Sequence, residues 1–198
     1  TASAIQGNLA MVLAALGEYE ASRRLMQELL ARRREWGDWI QVSSLLNNLA
    51  ALHVASGQWQ QARSCAEEGI AVTQAHGILQ PQPNLFVNRA LVSVQLCSDE
   101  EAERAARQAL DVARVFANRG AEAQALILLA RLAARRHEIA AAREHLKDAL
   151  ACPPMPNNPP LQLDWLFAYA SLRAAQGETR SAANLLRWLL ARPDIEPV

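Results

Sequence analysis

The sequence predicts an all-α protein, a solenoid of about five stacked helical hairpins, and three observations carry that prediction. Hydrophobic residues make up 51% of the 198-residue chain while aromatics make up 5%, so the apolar content is mainly Ala and Leu, the two leading helix formers. Turn-like residues recur 40 positions apart, at Gly17, Gly57, Cys97, His137 and Gly177. Small residues keep the same register, with Ala10, Ala50, Ala90, Ala130 and Ala170 before each turn and Ser22, Ala62, Ala102, Ala142 and Ala182 after it. A fixed period of this length marks a repeat architecture. Small residues in one register mean that two helices approach closely there, where a larger side chain would overpack the contact by ~1–3 kcal/mol.

Each unit reads as a hairpin. The first helices are expected over 3–16, 41–56, 83–96, 121–136 and 162–176, and the second over 19–35, 59–76, 99–118, 139–151 and 179–191. Gly17, Gly57 and Gly177 end one helix, and the acidic or polar residues after them open the next. A third series, Leu30, Ile70, Leu110, Leu150 and Leu190, falls late in the second helices as core, and Leu49 and Leu129 belong to the core of the first helices. Pro81 and Pro83 break the chain after the second unit. The stretch Cys152 to Pro160 holds Pro153, Pro154, Pro156 and Pro159 before its final proline, so it forms the longest loop. The expected units are 3–42, 43–82, 83–122, 123–162 and 163–198, together one repeat domain over 1–198.

Composition narrows the function. Twenty basic residues balance twenty acidic ones, which argues against a nucleic-acid or membrane-surface binder, since both need a basic excess. Apolar stretches are interrupted before membrane-spanning length. Cys65, Cys97 and Cys152 form neither a disulfide framework nor a metal knuckle, and a reducing cytoplasm fits best. No signal peptide is visible. The basic residues are nineteen Arg and one Lys, Lys147, which points to GC-rich coding and a bacterial source. The chain opens at Thr1 without Met and closes soon after the apolar run Leu185 to Leu190, where arrays normally carry a polar capping helix. A segment of a longer chain, or self-association through this uncapped helix, is expected.

At these positions the chain resembles the tetratricopeptide repeat (TPR) family. Unit two carries the pattern in Leu46, Leu49, Ala50, Gly57, Trp59, Ala62 and Ile70, and unit one in Leu9, Ala10, Gly17, Tyr19 and Leu30. Unit three departs, with Arg89 for a buried Leu, Cys97 for Gly and Asp99 for the aromatic, and unit four has His137 and Ile139. Local adjustment and a one-residue slip are expected in the third hairpin. The resemblance implies a right-handed α-solenoid that binds rather than catalyses. The 40-residue period exceeds the family's commonest 34. With Glu35 to Trp39, Asn47 to Ala50, Gly57 to Trp59 and Ala62-Arg63, it is similar to the long repeats of bacterial signalling regulators. There, an ATPase of the STAND type is joined to such an array and to a LuxR-type DNA-binding module. The implied role is the sensor or interaction segment of a multidomain transcriptional regulator; the alternative is a free-standing adaptor that assembles protein complexes.

No arrangement for catalysis or cofactor binding is persuasive. The eight glycines form no phosphate-binding loop. His137 and His145 are eight apart, whereas a zinc-protease helix needs two histidines four apart. His53 reads as an imidazole packed between helices with one hydrogen bond. Arg32 to Arg34 and Arg135-Arg136 read as solvated faces.

First helices line the concave side of such a superhelix, so function is expected there. The candidate binding residues are Asn8, Met11, Asn47, Asn48, Asn88, Leu91, Ile127, Arg131, Phe167 and Ser171. Asn at three equivalent positions, 8, 48 and 88, suits either the backbone of an extended peptide or a polar small effector. The same amides could instead bridge neighbouring helices. A chaperone-tail clamp is disfavoured: Asn48 matches it, but Gly7, Met11, Asn84 and Asn88 replace its basic residues. Arg131 is the charged anchor of a groove that turns apolar toward units four and five, which calls for a ligand with an acidic group and an apolar end.

Overall fold

A computed structural model describes residues 2–78, 82–153, 155 and 158–191, with the backbone alone at 2–6, 8 and 190. Ten helices are present among them: α1 Ala2–Ala15, α2 Tyr19–Glu35, α3 Trp39–Ala55, α4 Trp59–Ala75, α5 Gln82–Leu96, α6 Asp99–Val115, α7 Arg119–Arg135, α8 Ile139–Leu150, α9 Pro159–Ala175 and α10 Thr179–Leu190. No strand occurs among the described residues. The fold is all-α, as the composition and period predict.

The helices reveal a shorter period inside the 40-residue one. Helices α2, α3 and α4 start 20 residues apart, and so do α6 through α10. Most described turns hold one residue in the left-handed region: Gly17, Gly37, Gly57, Gly77 and Gly177, and also Ala117 at φ 50° and His137 at φ 58°. That conformation places Cβ against the following carbonyl in any residue but glycine. Ala117 also explains why α6 stops at Val115, short of the expected 118. Asn118 caps α7 instead, its side chain accepting the Ala121 N–H at 3.0 Å.

The expected slip in the third hairpin does not occur. Without a glycine at 97, α5 runs on to Leu96, and Ser98 then caps α6 by accepting the Glu101 N–H at 3.3 Å. Helix α6 therefore starts at Asp99, in register. Between α8 and α9, Pro159 and Pro160 sit at the first helical positions, where a missing N–H and a fixed φ are tolerated.

The chain divides into two compact units, residues 1–92 and 93–198. In the first, Met26, Leu29, Leu30, Val42, Leu45, Leu46, Leu49 and Leu52 form the core with Ala10. The small-residue series meets as expected: Ser22 and Ala10 are both fully buried, and the Ser22 hydroxyl donates to the Ala10 carbonyl at 2.6 Å. Gly69 of α4 admits a second close approach, because a Cβ there would stand 2.5 Å from Leu85 Cδ2 and 3.4 Å from Leu46 Cβ.

In the second unit α7 is the central helix. It packs against α6, α8 and α9 and buries Leu126, Ile127, Leu128, Leu129 and Leu132, the all-round apolar character of an interior helix. Charged residues tie its end to α6, with Arg135 pairing Asp99 at 2.7 Å and Arg136 pairing Glu103. Arg33 likewise pairs Asp38 at 2.7 Å, and Arg34 pairs Glu68. Arg32, Arg34 and Arg135 are exposed, the solvated faces expected, while Arg33 and Arg136 are half-buried between elements.

Candidate functional site

The candidate residues fall in both units. In the first, the Asn8 side chain lies outside the described residues. Met11 is exposed on α1, Asn47 and Asn48 are half-buried on α3, and Leu91 is half-buried on α5. Asn88 is only 7% exposed. Its Nδ2 donates to the Asn47 side-chain oxygen at 3.1 Å and the Asn47 carbonyl at 3.3 Å. Asn47 in turn reaches Asn48 Oδ1 at 3.4 Å. Asn88 thus bridges α5 to α3 through Asn47, while Met11 is exposed and Asn48 and Leu91 remain partly accessible. Away from these residues, the turns before α3 and after α4 hold a cavity of about 520 Å³ lined in part by Trp39 and His76, whose rings stack at 4.5 Å.

In the second unit Ile127 is 2% exposed and belongs to the core. Phe167 is half-buried and Ser171 exposed, its hydroxyl turned back to the Phe167 carbonyl at 3.0 Å. Arg131, half-buried on α7, has a charged neighbour on α9 in Asp164. Asp164 is exposed on α9, and the surrounding protein only partly desolvates it. That desolvation pushes its carboxyl up from the ordinary range, against the opposing pull of Arg131.

Other charged groups are spoken for structurally. Glu122 is buried, accepting hydrogen bonds from Arg114 at 3.0 Å and Arg119 at 2.7 Å. Burial opposes its charge, but the two guanidiniums outweigh burial and hold the carboxyl below its ordinary range. His53 is buried with Nδ1 2.6 Å from Gln58 Oε1, the packed role expected of it. His137 lies at an exposed turn and His145 half-buried on α8. Among the described residues, no group of three or more His, Cys, Asp or Glu side chains is placed to hold a metal ion, and no helix is long and apolar enough to cross a membrane.

With hairpin geometry established over α1 to α4, one comparison bears directly on it. Residues 1–75 match the tetratricopeptide repeat family. Solved structures share the fold along nearly the whole chain. BtubC (BKLC) from P. vanneervenii is 18% identical with a TM-score of 0.68, over 96% of this chain and 81% of its own. Nearly identical TPR-like repeats of a Podosopora anserina protein assigned as a kinesin light chain are 18% identical with a TM-score of 0.64, over 94% and 92%. None of the curated proteins matches in sequence.

On this TPR-like frame, Asp164 is the residue that the sequence did not single out. It stands alone beside Trp165 in no motif. The one available signal was its position 40 residues after Gln124 and 80 after Asn84, a run of polar residues on successive first helices.

Proposed function

We propose that the chain is a non-catalytic binding module whose ligand is a protein segment or polar effector held on the first-helix faces. The observation that carries this reading is the pair Arg131 and Asp164. Arg131 is half-buried, Asp164 exposed and Phe167 half-buried, so all three can be reached by a ligand. A carboxylate with a raised pKa beside a basic group is found where a protein needs it for recognition or chemistry. Arg131 can meet an acidic group of the ligand and Asp164 a donor, while Phe167 supplies apolar contact beside them.

In its full setting this module is the sensor or interaction segment of a multidomain bacterial transcriptional regulator, cytoplasmic, in which ligand occupancy biases the attached domains. The long repeat and the residues around Trp36 and Trp39 support that setting. The alternative is a free-standing adaptor, favoured by fold likeness to a kinesin light chain. Self-association through α10, where Trp188 is exposed, belongs to either reading.

Affinity capture from a bacterial lysate tests the module reading. Wild-type bait runs beside an Arg131→Glu, Asn48→Ala bait, with protein and metabolite mass spectrometry as readout. A species retained only by the wild type is expected, a small molecule for the sensor and a protein for the adaptor. Identical retention by both baits would remove the first-helix faces from the function.

A further inference from the structure

Among the members of the late apolar series whose side chains are described, one breaks the pattern. Leu30, Ile70 and Leu110 are 6%, 7% and 8% exposed, but the equivalent Leu150 is 55% exposed. It lies at the end of α8, against two adjoining cavities of about 350 and 400 Å³ that both include Leu150 and Trp165. Together these form an open groove between α8 and α9, inside the second unit. Its lining carries Arg143, Lys147 and Arg173 and no carboxylate, although Arg173 is paired with Glu178 just outside it, which leaves Arg143 and Lys147 as the cations open to a ligand.

The aromatic wall is fixed in advance. Trp165 donates through Nε1 to the Leu146 carbonyl at 2.9 Å, and its ring stacks on Tyr169 at 5.3 Å with an interplanar angle of 8°. Arg173 covers the other part of Tyr169 at 5.9 Å. Lys147 has a carboxylate neighbour in Glu144 at 3.7 Å, but both side chains are largely exposed, and such pairs exchange readily for a better partner. On the α9 side the lining runs from Gln162 to Gln176, about 21 Å of helix, the length of roughly six residues of extended chain.

We propose that this groove is a binding site separate from the Arg131 face, and that its occupant is an extended acidic segment of a partner protein carrying one large apolar side chain. The apolar side chain covers Leu150 against Trp165. The flanking carboxylates meet Arg143 and Lys147. Length favours a peptide over a compact small molecule, and the one-signed lining selects acidic sequences.

Fluorescence anisotropy tests this with a labelled peptide of Asp and Glu around a single central Phe, beside a control in which Lys replaces every acidic residue. The acidic peptide is expected to bind, to weaken with salt, and to lose at least about tenfold in affinity to an Arg143→Glu, Lys147→Glu variant, whose exposed positions leave the fold intact. Arg131→Ala should bind it as the wild type does. No binding of the acidic peptide, equal binding of the basic control, unchanged affinity in the double variant, or loss in Arg131→Ala would each overturn the proposal. A dimer in light scattering that Leu150→Asp abolishes would also overturn it, by assigning the groove to a second copy of the chain.

Discussion

Asn88 reaches from α5 to α3 and donates through one amide nitrogen to two oxygens of Asn47, the side chain at 3.1 Å and the carbonyl at 3.3 Å. A polar residue on a first helix is thus part of the stack's cement. Asn88→Ala should lower stability by about 1–2 kcal/mol in urea denaturation, the range for a lost buried hydrogen bond. A double-mutant cycle with Asn47→Ala should show coupling. Unchanged stability at Asn88 would return it to the list of ligand contacts.

Gly69 is fixed by space, not by backbone angle. Adding a methyl sets it 2.5 Å from Leu85 Cδ2, so Gly69→Ala should cost about 1–3 kcal/mol by overpacking. In a Leu85→Ala background the same change should be close to neutral. A full loss in both backgrounds would place the clash elsewhere.

Ala117 and His137 take the turn conformation that Gly17, Gly57 and Gly177 take without strain. Ala117→Gly should therefore stabilise the protein, by up to about 1–2 kcal/mol less the added flexibility of the unfolded chain. His137→Gly should gain less, because the imidazole lies 3.2 Å from the Ala175 carbonyl and that contact is lost. Thermal melts that rank the two variants the other way would contradict this account of the turns.

The helices were legible because close packing demands small side chains, and Ala10, Ala50, Ala90, Ala130 and Ala170 are indeed all buried. The 20-residue half-period is also written in Gly17, Gly37, Gly57 and Gly77, but it fades in the later turns, where Cys97, Ala117 and His137 stand in place of glycine. The sequence could not separate exposed from buried members of a helix face. Asn88 is in register with half-buried Asn48, and Ile127 with half-buried Asn47, yet both are buried by the helices packed around them. Asp164 acquires meaning when α9 packs against α7 beside Arg131, a relationship with no trace in local sequence.

Glu122 makes stability depend on acid. Its folded-state pKa is lowered, so its stabilising effect is full above the ordinary Glu value of about 4.3 and disappears as the pH falls below that through the folded value. Arg114 and Arg119 are more than half exposed, so solvent screening reduces the size of the effect. Glu122→Gln should be less stable than wild type at neutral pH and converge with it in acid. Parallel pH profiles would show that the pair of arginines contributes nothing.

Asp164 has the opposite sign, and denaturation of Asp164→Asn beside wild type across pH tests most directly the claim that this carboxylate is retained for binding at the expense of folding. Its folded-state pKa is raised, so its favourable contribution exists in acid, where it is protonated, and is lost as the pH rises through the folded value. The variant should be slightly the more stable protein at neutral pH, by an amount that solvent screening keeps small because Asp164 is exposed, with the difference closing in acid. A variant of lower stability at neutral pH would mean that Asp164 is an ordinary structural residue, and the reading built on its place near Arg131 would fall.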